Sequence, residues 1–145
     1  MPWRRSAVGT ILISIVMGVL GIAGVMKLVD LSAFYAVLIT WSLIPHSIAP
    51  VLSLLVPSME ILIAGVWFAR SHRSLACVSA MVLLTCFTVA VGAHLLVSSP
   101  PRCGCFGAHV LFQEQRDEAI FVLGRNAVLL VFLGIGLGFG HDVVR

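Results

Sequence analysis

"LIPHSIAPVLSLLVPSMEILIAG", residues 43–65, decides how many times this chain crosses a membrane. It lies in an apolar tract, 31–69, that is too long for one spanning helix and is interrupted by Pro45, Pro50 and Pro57. A span takes about 20 mostly apolar residues, since each helical residue rises about 1.5 Å and the hydrocarbon core is about 30 Å thick. Proline removes a backbone donor and crowds the preceding turn, so the tract divides naturally between Pro45 and Pro50. That division leaves a short helix over 31–44, capped by Ser32 and too brief to cross, which is expected to be interfacial or re-entrant. A full span over 47–69 follows, with Pro57 as a kink. Were 31–44 to cross after all, there would be five spans and every later loop would change sides.

Three further stretches, 7–26, 75–97 and 119–140, are long and apolar enough to cross. With 60% hydrophobic and 10% charged residues among 145, the chain has too little polar surface to cover a soluble globule. The expectation is an all-α integral membrane four-helix bundle, a single domain over 1–145, with the short helix between the first two spans. The net charge of +3 is scattered through short connections and forms no basic patch of the kind that binds nucleic acid. "MPWRR" followed by an apolar run has the form of a secretory leader. The run exceeds the usual apolar core of about 7–15 residues and no soluble domain follows, so it is expected to be the first span. Gly18, Gly21 and Gly24, with the pairs Gly134/Gly138 and Gly136/Gly140, suit close helix packing in lipid.

With four spans, Arg4, Arg5, Arg70, Arg73 and Arg145 fall on one side and Lys27, Arg102, Arg116 and Arg125 on the other, with Arg125 inside the fourth helix. The positive-inside rule then puts the termini in the cytoplasm and the connection 98–118 outside it, where disulfides persist.

That connection carries "PPRCGCFGAH", residues 100–109. Cysteines one residue apart lie at most about 7 Å apart between α-carbons, and a relaxed disulfide wants about 4.4–6.8 Å. Cys103 and Cys105 can therefore bond only if the segment bends, for which Gly104 and Gly107 supply backbone freedom. A small strained ring is readily exchanged, and Arg102 favours the thiolate. A structural disulfide is the plainer reading, though so short a loop constrains the unfolded chain little. A metal site from Cys103, Cys105 and His109 is the third, and lacks a fourth ligand unless His94 or a second subunit supplies it. Cys77 and Cys86, nine residues apart on one helix, are separated by about 13 Å along its axis and cannot pair. Both are expected to be buried packing residues. His46, His72 and His141 have no second ligand at metal spacing.

Glu60 falls near the middle of the second span, where a carboxylate is expensive and normally faces the bundle interior beside a partner. Lys27, Arg125 and His94 are the candidates, and a shared polar cluster beneath the Cys-Gly-Cys loop would follow. The alternative is a protonated, purely structural glutamic acid bonded to backbone. Arg125 and Asn126 form a polar pair within the fourth helix, although Arg125 could also reach the interface.

In order along the chain, "GIAGVMKLVDLSAFYAVL", "LIPHSIAPVLSLLVPSMEILIAG", "CGCFG" and "LGRNAVLL" resemble the MauE family of methylamine utilisation membrane proteins, related to a wider DoxX-like four-helix group. The likeness runs over about 18–130, and "CGCFG" with the downstream Arg-Asn is its most specific part. The family pattern falls on Gly24, Lys27, Pro45, Pro57, Glu60, Gly65, Cys103, Cys105, Phe106, Gly107, Arg125 and Asn126. The resemblance implies a role in maturing a periplasmic enzyme, methylamine dehydrogenase in the namesake system, with a thioredoxin-like partner. With Arg145 closing the sequence, that partner is expected to be a separate protein. Cys103 and Cys105 would exchange with it, Arg102 and Arg125 would tune the thiolate, and Lys27 and Glu60 would organise the polar interior. A membrane quinone is the candidate for the second electron carrier, although no motif requires one. A noncatalytic membrane anchor or chaperone for the maturing enzyme, or a metal carrier, are the competing expectations.

Overall fold

Four long helices and one short one make up the computed structural model, which describes residues 2–41, 44–97 and 115–139. They are α1 (Pro2–Val29), α2 (Leu31–Leu38), α3 (Ala49–Phe68), α4 (Arg73–Val97) and α5 (Gln115–Phe139). All but α2 contain a stretch long and apolar enough to cross a membrane: Ala7–Val29, Ala49–Phe68, Arg73–Ala93 and Ala119–Phe139. In hydrocarbon each backbone N–H and C=O must be satisfied within its own segment, which the helix alone does for a single span. The chain is thus a multi-pass membrane protein.

The bundle is apolar outside and polar within. Ile11, Ile22, Leu62, Leu75 and Val89 point outward, whereas the buried polar residues among those described are Lys27, Ser53, Glu60 and Asn126. A soluble bundle sorts its residues the other way. α1 packs against α3 and α5, and α4 closes the ring by packing against the same two. Their shared core joins Met17 and Leu20 of α1 to Trp67 of α3, Leu84 of α4, and Leu129 and Leu133 of α5. A second cluster, of Trp41, Val91, Ala119 and Val122, ties the chain after α2 to the end of α4 and the start of α5.

α2 differs from its expected form. Its cap is Asp30, not Ser32: the carboxylate accepts from the Ala33 N–H at 3.1 Å, and Ser32 Oγ donates to the same oxygen at 3.0 Å. A carboxylate is the better cap here because it satisfies an orphan N–H and carries charge that complements the helix N-terminus. The helix ends at Leu38 rather than near Ile44, giving eight residues and about 12 Å, well short of a crossing. Phe34 and Leu38 bury it against Ala49 at the start of α3. The span boundaries also shift. α1 runs on through Lys27 to Val29, and α5 begins at Gln115, inside the stretch read as loop.

α3 and α4 join through a tight turn in which Arg70 (φ 58°) and His72 (φ 47°) take left-handed backbone conformations. Such conformations are unfavourable for residues with a Cβ, by roughly 1–2 kcal/mol each. The turn is held by the Ala69 N–H bonded to the Gly65 carbonyl at 2.8 Å and by the Arg73 guanidinium 4.9 Å from the Trp67 ring centre. Trp67 in turn donates its indole N–H to Ser14 Oγ of α1 at 3.1 Å.

The cysteines of α4 are not alike. Cys77 is buried as expected, but Cys86 is exposed, because nine residues of helix carry it to the opposite side of α4, away from the helices it packs on. The expected glycine contacts also divide. Gly24 lies against α3, where an added Cβ would sit 2.8 Å from the Pro57 carbonyl oxygen and 3.0 Å from Glu60 Cβ. Gly136 lies against Ile13 in the same manner, while Gly18, Gly134 and Gly138 meet nothing; Gly140 is outside the described residues.

Gly24→Ala is therefore expected to destabilise the bundle by about 1–3 kcal/mol, because a backbone carbonyl cannot rotate out of the way. Gly18→Ala should be near neutral. Thermal unfolding of the two variants in the same detergent checks the contrast.

Candidate functional site

Three spans bring charge to the centre of the bundle, and helix geometry explains why the charges meet. Side chains on a helix lean toward its N-terminus. α1 runs toward the end of the bundle that carries α2, so Lys27, near its C-terminus, leans back into the interior. α3 and α5 run away from that end, so Glu60 and Arg125 lean up toward it. Glu60 lies about 16 Å below Ala49, and Arg125 about 9 Å below Ala119. Lys27 and Glu60 thus approach from opposite directions, and all three residues line one cavity.

Of the candidate partners for Glu60, Lys27 makes the contact. Its Nζ donates to both carboxylate oxygens, at 2.5 and 2.7 Å. Lys27 is 1% exposed and Glu60 3%. Glu60 is thus held by a cation from another helix rather than by backbone. Two aromatic rings complete the lysine's surroundings, Phe34 of α2 with its centre 5.6 Å from Nζ and Phe87 of α4 at 5.4 Å. Ring faces attract a cation without bringing in water, which suits an ammonium enclosed in hydrocarbon.

On α5, Arg125 Nη2 donates to Asn126 Oδ1 at 3.2 Å. Lys27, Glu60, Phe87, Arg125 and Asn126 line one small cavity, with Leu20 and Ala23 among its apolar walls. The free volume is about 10 Å³. The lining carries two cations and one carboxylate. The ion pair joins α1 to α3, and Arg125 and Asn126 of α5 line the same cavity. The group offers no exposed nucleophile.

Arg102, Cys103, Gly104, Cys105, Phe106 and Gly107, together with His109, lie outside the described residues, as does the His94 side chain. Their loop joins the end of α4 to the start of α5, at the end of the bundle that carries α2. Among the described residues no three His, Cys, Asp or Glu side chains gather as a metal site. Sequence reasoning missed Phe34 and Phe87 as partners of Lys27. Both stand in apolar runs rich in such residues, and nothing local separates them from other packing side chains.

A family model described as methylamine utilisation protein MauE matches residues 5–139. No curated protein and no solved structure match the chain.

Breaking the buried pair on one side strands the other charge. Lys27→Met or Glu60→Leu alone is expected to cost about 3–5 kcal/mol, while the double variant Lys27→Met/Glu60→Leu should lie close to the parent. A double-mutant cycle of unfolding free energies in detergent measures the difference; equal losses in the single and double variants would exclude the coupling.

Proposed function

The chain belongs to the MauE family of methylamine utilisation proteins, and on that premise we propose that it is the membrane component of an extracytoplasmic thiol–disulfide relay. The relay assists maturation of a periplasmic enzyme such as methylamine dehydrogenase. The observation that carries this reading is the pair Cys103 and Cys105, one residue apart in the connection from α4 to α5. A disulfide closing so short a ring is strained, exchanges readily and constrains the unfolded chain little.

In the oxidising direction, a thiolate of a thioredoxin-like partner attacks one sulfur of the Cys103–Cys105 disulfide, giving a mixed disulfide and releasing the other cysteine as a thiolate. The partner's second thiolate then resolves the mixed bond. The partner leaves as a disulfide able to oxidise its client, and Cys103 and Cys105 are left as thiols. Returning them to the disulfide takes two electrons and two protons, which a membrane quinone is chemically able to accept. Two cavities among the described residues do not fit such a ring. The interior cavity is far too small, and the larger groove outside the α1–α3 seam is lined by apolar residues such as Gly18, Ile22, Ala64 and Phe68, with no donor for a quinone carbonyl.

The orientation rests on charge. Lys27 and Arg125 line the interior, so they drop out of the loop count. This leaves Arg102 and Arg116 against Arg4, Arg5, Arg70, Arg73 and Arg145. That asymmetry favours cytoplasmic termini in the inner membrane and an extracytoplasmic Cys-Gly-Cys loop.

Trapping tests the relay. Of Cys103→Ser and Cys105→Ser, one is expected to accumulate a mixed disulfide with a thioredoxin-fold protein, visible as a reducible adduct on a non-reducing gel. Normal enzyme maturation in the double variant would overturn the relay and leave a noncatalytic anchor. Metal bound by the parent and lost from the same variants would point to a carrier.

A further inference from the structure

Asn126 is 1% exposed, lines the interior cavity, and its Nδ2 has no hydrogen-bond partner among the described residues. An amide cannot escape that position by turning over. Arg125 Nη2 donates to Oδ1, and a flipped side chain would set its NH2 against the guanidinium, donor against donor. Leaving a buried donor unmade costs about 1–3 kcal/mol, and a bilayer offers no bulk water to relieve it.

The cavity decides what meets this donor. Its free volume of about 10 Å³ is that of roughly one water molecule. Its polar lining is rich in donors, with the Lys27 ammonium, the Arg125 guanidinium and the Asn126 amide set against one carboxylate. The occupant must therefore accept hydrogen bonds. Glu60, a carboxylate with lone pairs beyond those used by Lys27, favours an occupant that can also donate. A bare anion would accept from these donors but could not donate to Glu60.

We infer that the cavity between Lys27, Glu60, Arg125 and Asn126 is a binding site for a single water molecule, which accepts from Asn126 Nδ2 and joins α5 to the α1–α3 ion pair. A buried water typically makes about three hydrogen bonds to polar groups otherwise left unpaired, and this lining supplies that number. The site makes Asn126 a residue of defined chemistry: a side chain at this position must donate into the cavity while accepting from Arg125. The inference does not rest on the relay, since none of its residues exchanges electrons.

The full-length protein in lipid nanodiscs allows a direct test by infrared spectroscopy with H₂¹⁸O exchange. The parent is expected to show a sharp, isotope-sensitive O–H stretching band from one confined water. Asn126→Leu removes the donor and fills part of the space, and Ala23→Val fills the wall while leaving every polar group in place. Both should lose the band, and Ala23→Val carries the test should Asn126→Leu fail to fold. Absence of an isotope-sensitive band in the parent, or its persistence in Ala23→Val, would overturn the water site. Absence of the band together with one tightly held chloride per protein, exchangeable for bromide, would overturn it in favour of a halide.

Discussion

The salt bridge between Lys27 and Glu60 is the contact on which the arrangement of this bundle depends. Two charges removed from water are together far less expensive than either alone, so the pair favours one register of α1 against α3 alongside the apolar seam of Met17, Leu20, Ile63 and Trp67. Lipid tails are as apolar as the leucines and valines facing them, so hydrophobicity alone gives helices in a bilayer little reason to prefer one another. The pair supplies that preference. Gly24 lets α1 approach α3 beside the pair, since any side chain there would press on Pro57 and Glu60.

The short helix follows from the same requirement. α1 delivers Lys27 three residues before Asp30, and Asp30 at once caps α2. The chain thereby turns back over the lysine and sets Phe34 against it. With Phe87 on α4, every helix near the α2 end touches the buried charges or their immediate surroundings. α2 therefore reads as a cover over the polar interior, with an outer limit set by Trp41 packing against Val91 and Ala119.

The four spans were legible because a bilayer imposes a length and an exclusion of charge that few other settings impose. The same exclusion singled out Glu60, the one acidic residue deep in an apolar stretch, and limited its partners to the cations and histidine at reachable depths. What local pattern did not reveal was direction. Lys27 sits near a helix end, where snorkelling to the interface is the usual reading; only the packing of an antiparallel α3 explains why it points inward. The cap of α2 was misplaced for a related reason. Asp30 stands just before the helix and offers its carboxylate to the Ala33 N–H, whereas Ser32 already lies inside the first turn. The burial of Cys86 was misread because a hydrophobic cysteine in a span can face lipid as readily as protein.

The bundle separates two kinds of polar chemistry along its axis. Lys27, Glu60 and Asn126 are buried inside the bundle, around a cavity with space for about one water molecule. Thiol–disulfide exchange has the opposite requirement, since an attacking sulfur from another protein must approach in line with the bond it breaks. On the proposed reading the cysteine pair belongs in a connection, and the interior charges act on it through the frame they fix rather than by contact. α5 links the two levels. It begins at the far end of that connection, and about two turns beyond its first turns Arg125 and Asn126 line the cavity beside the ion pair.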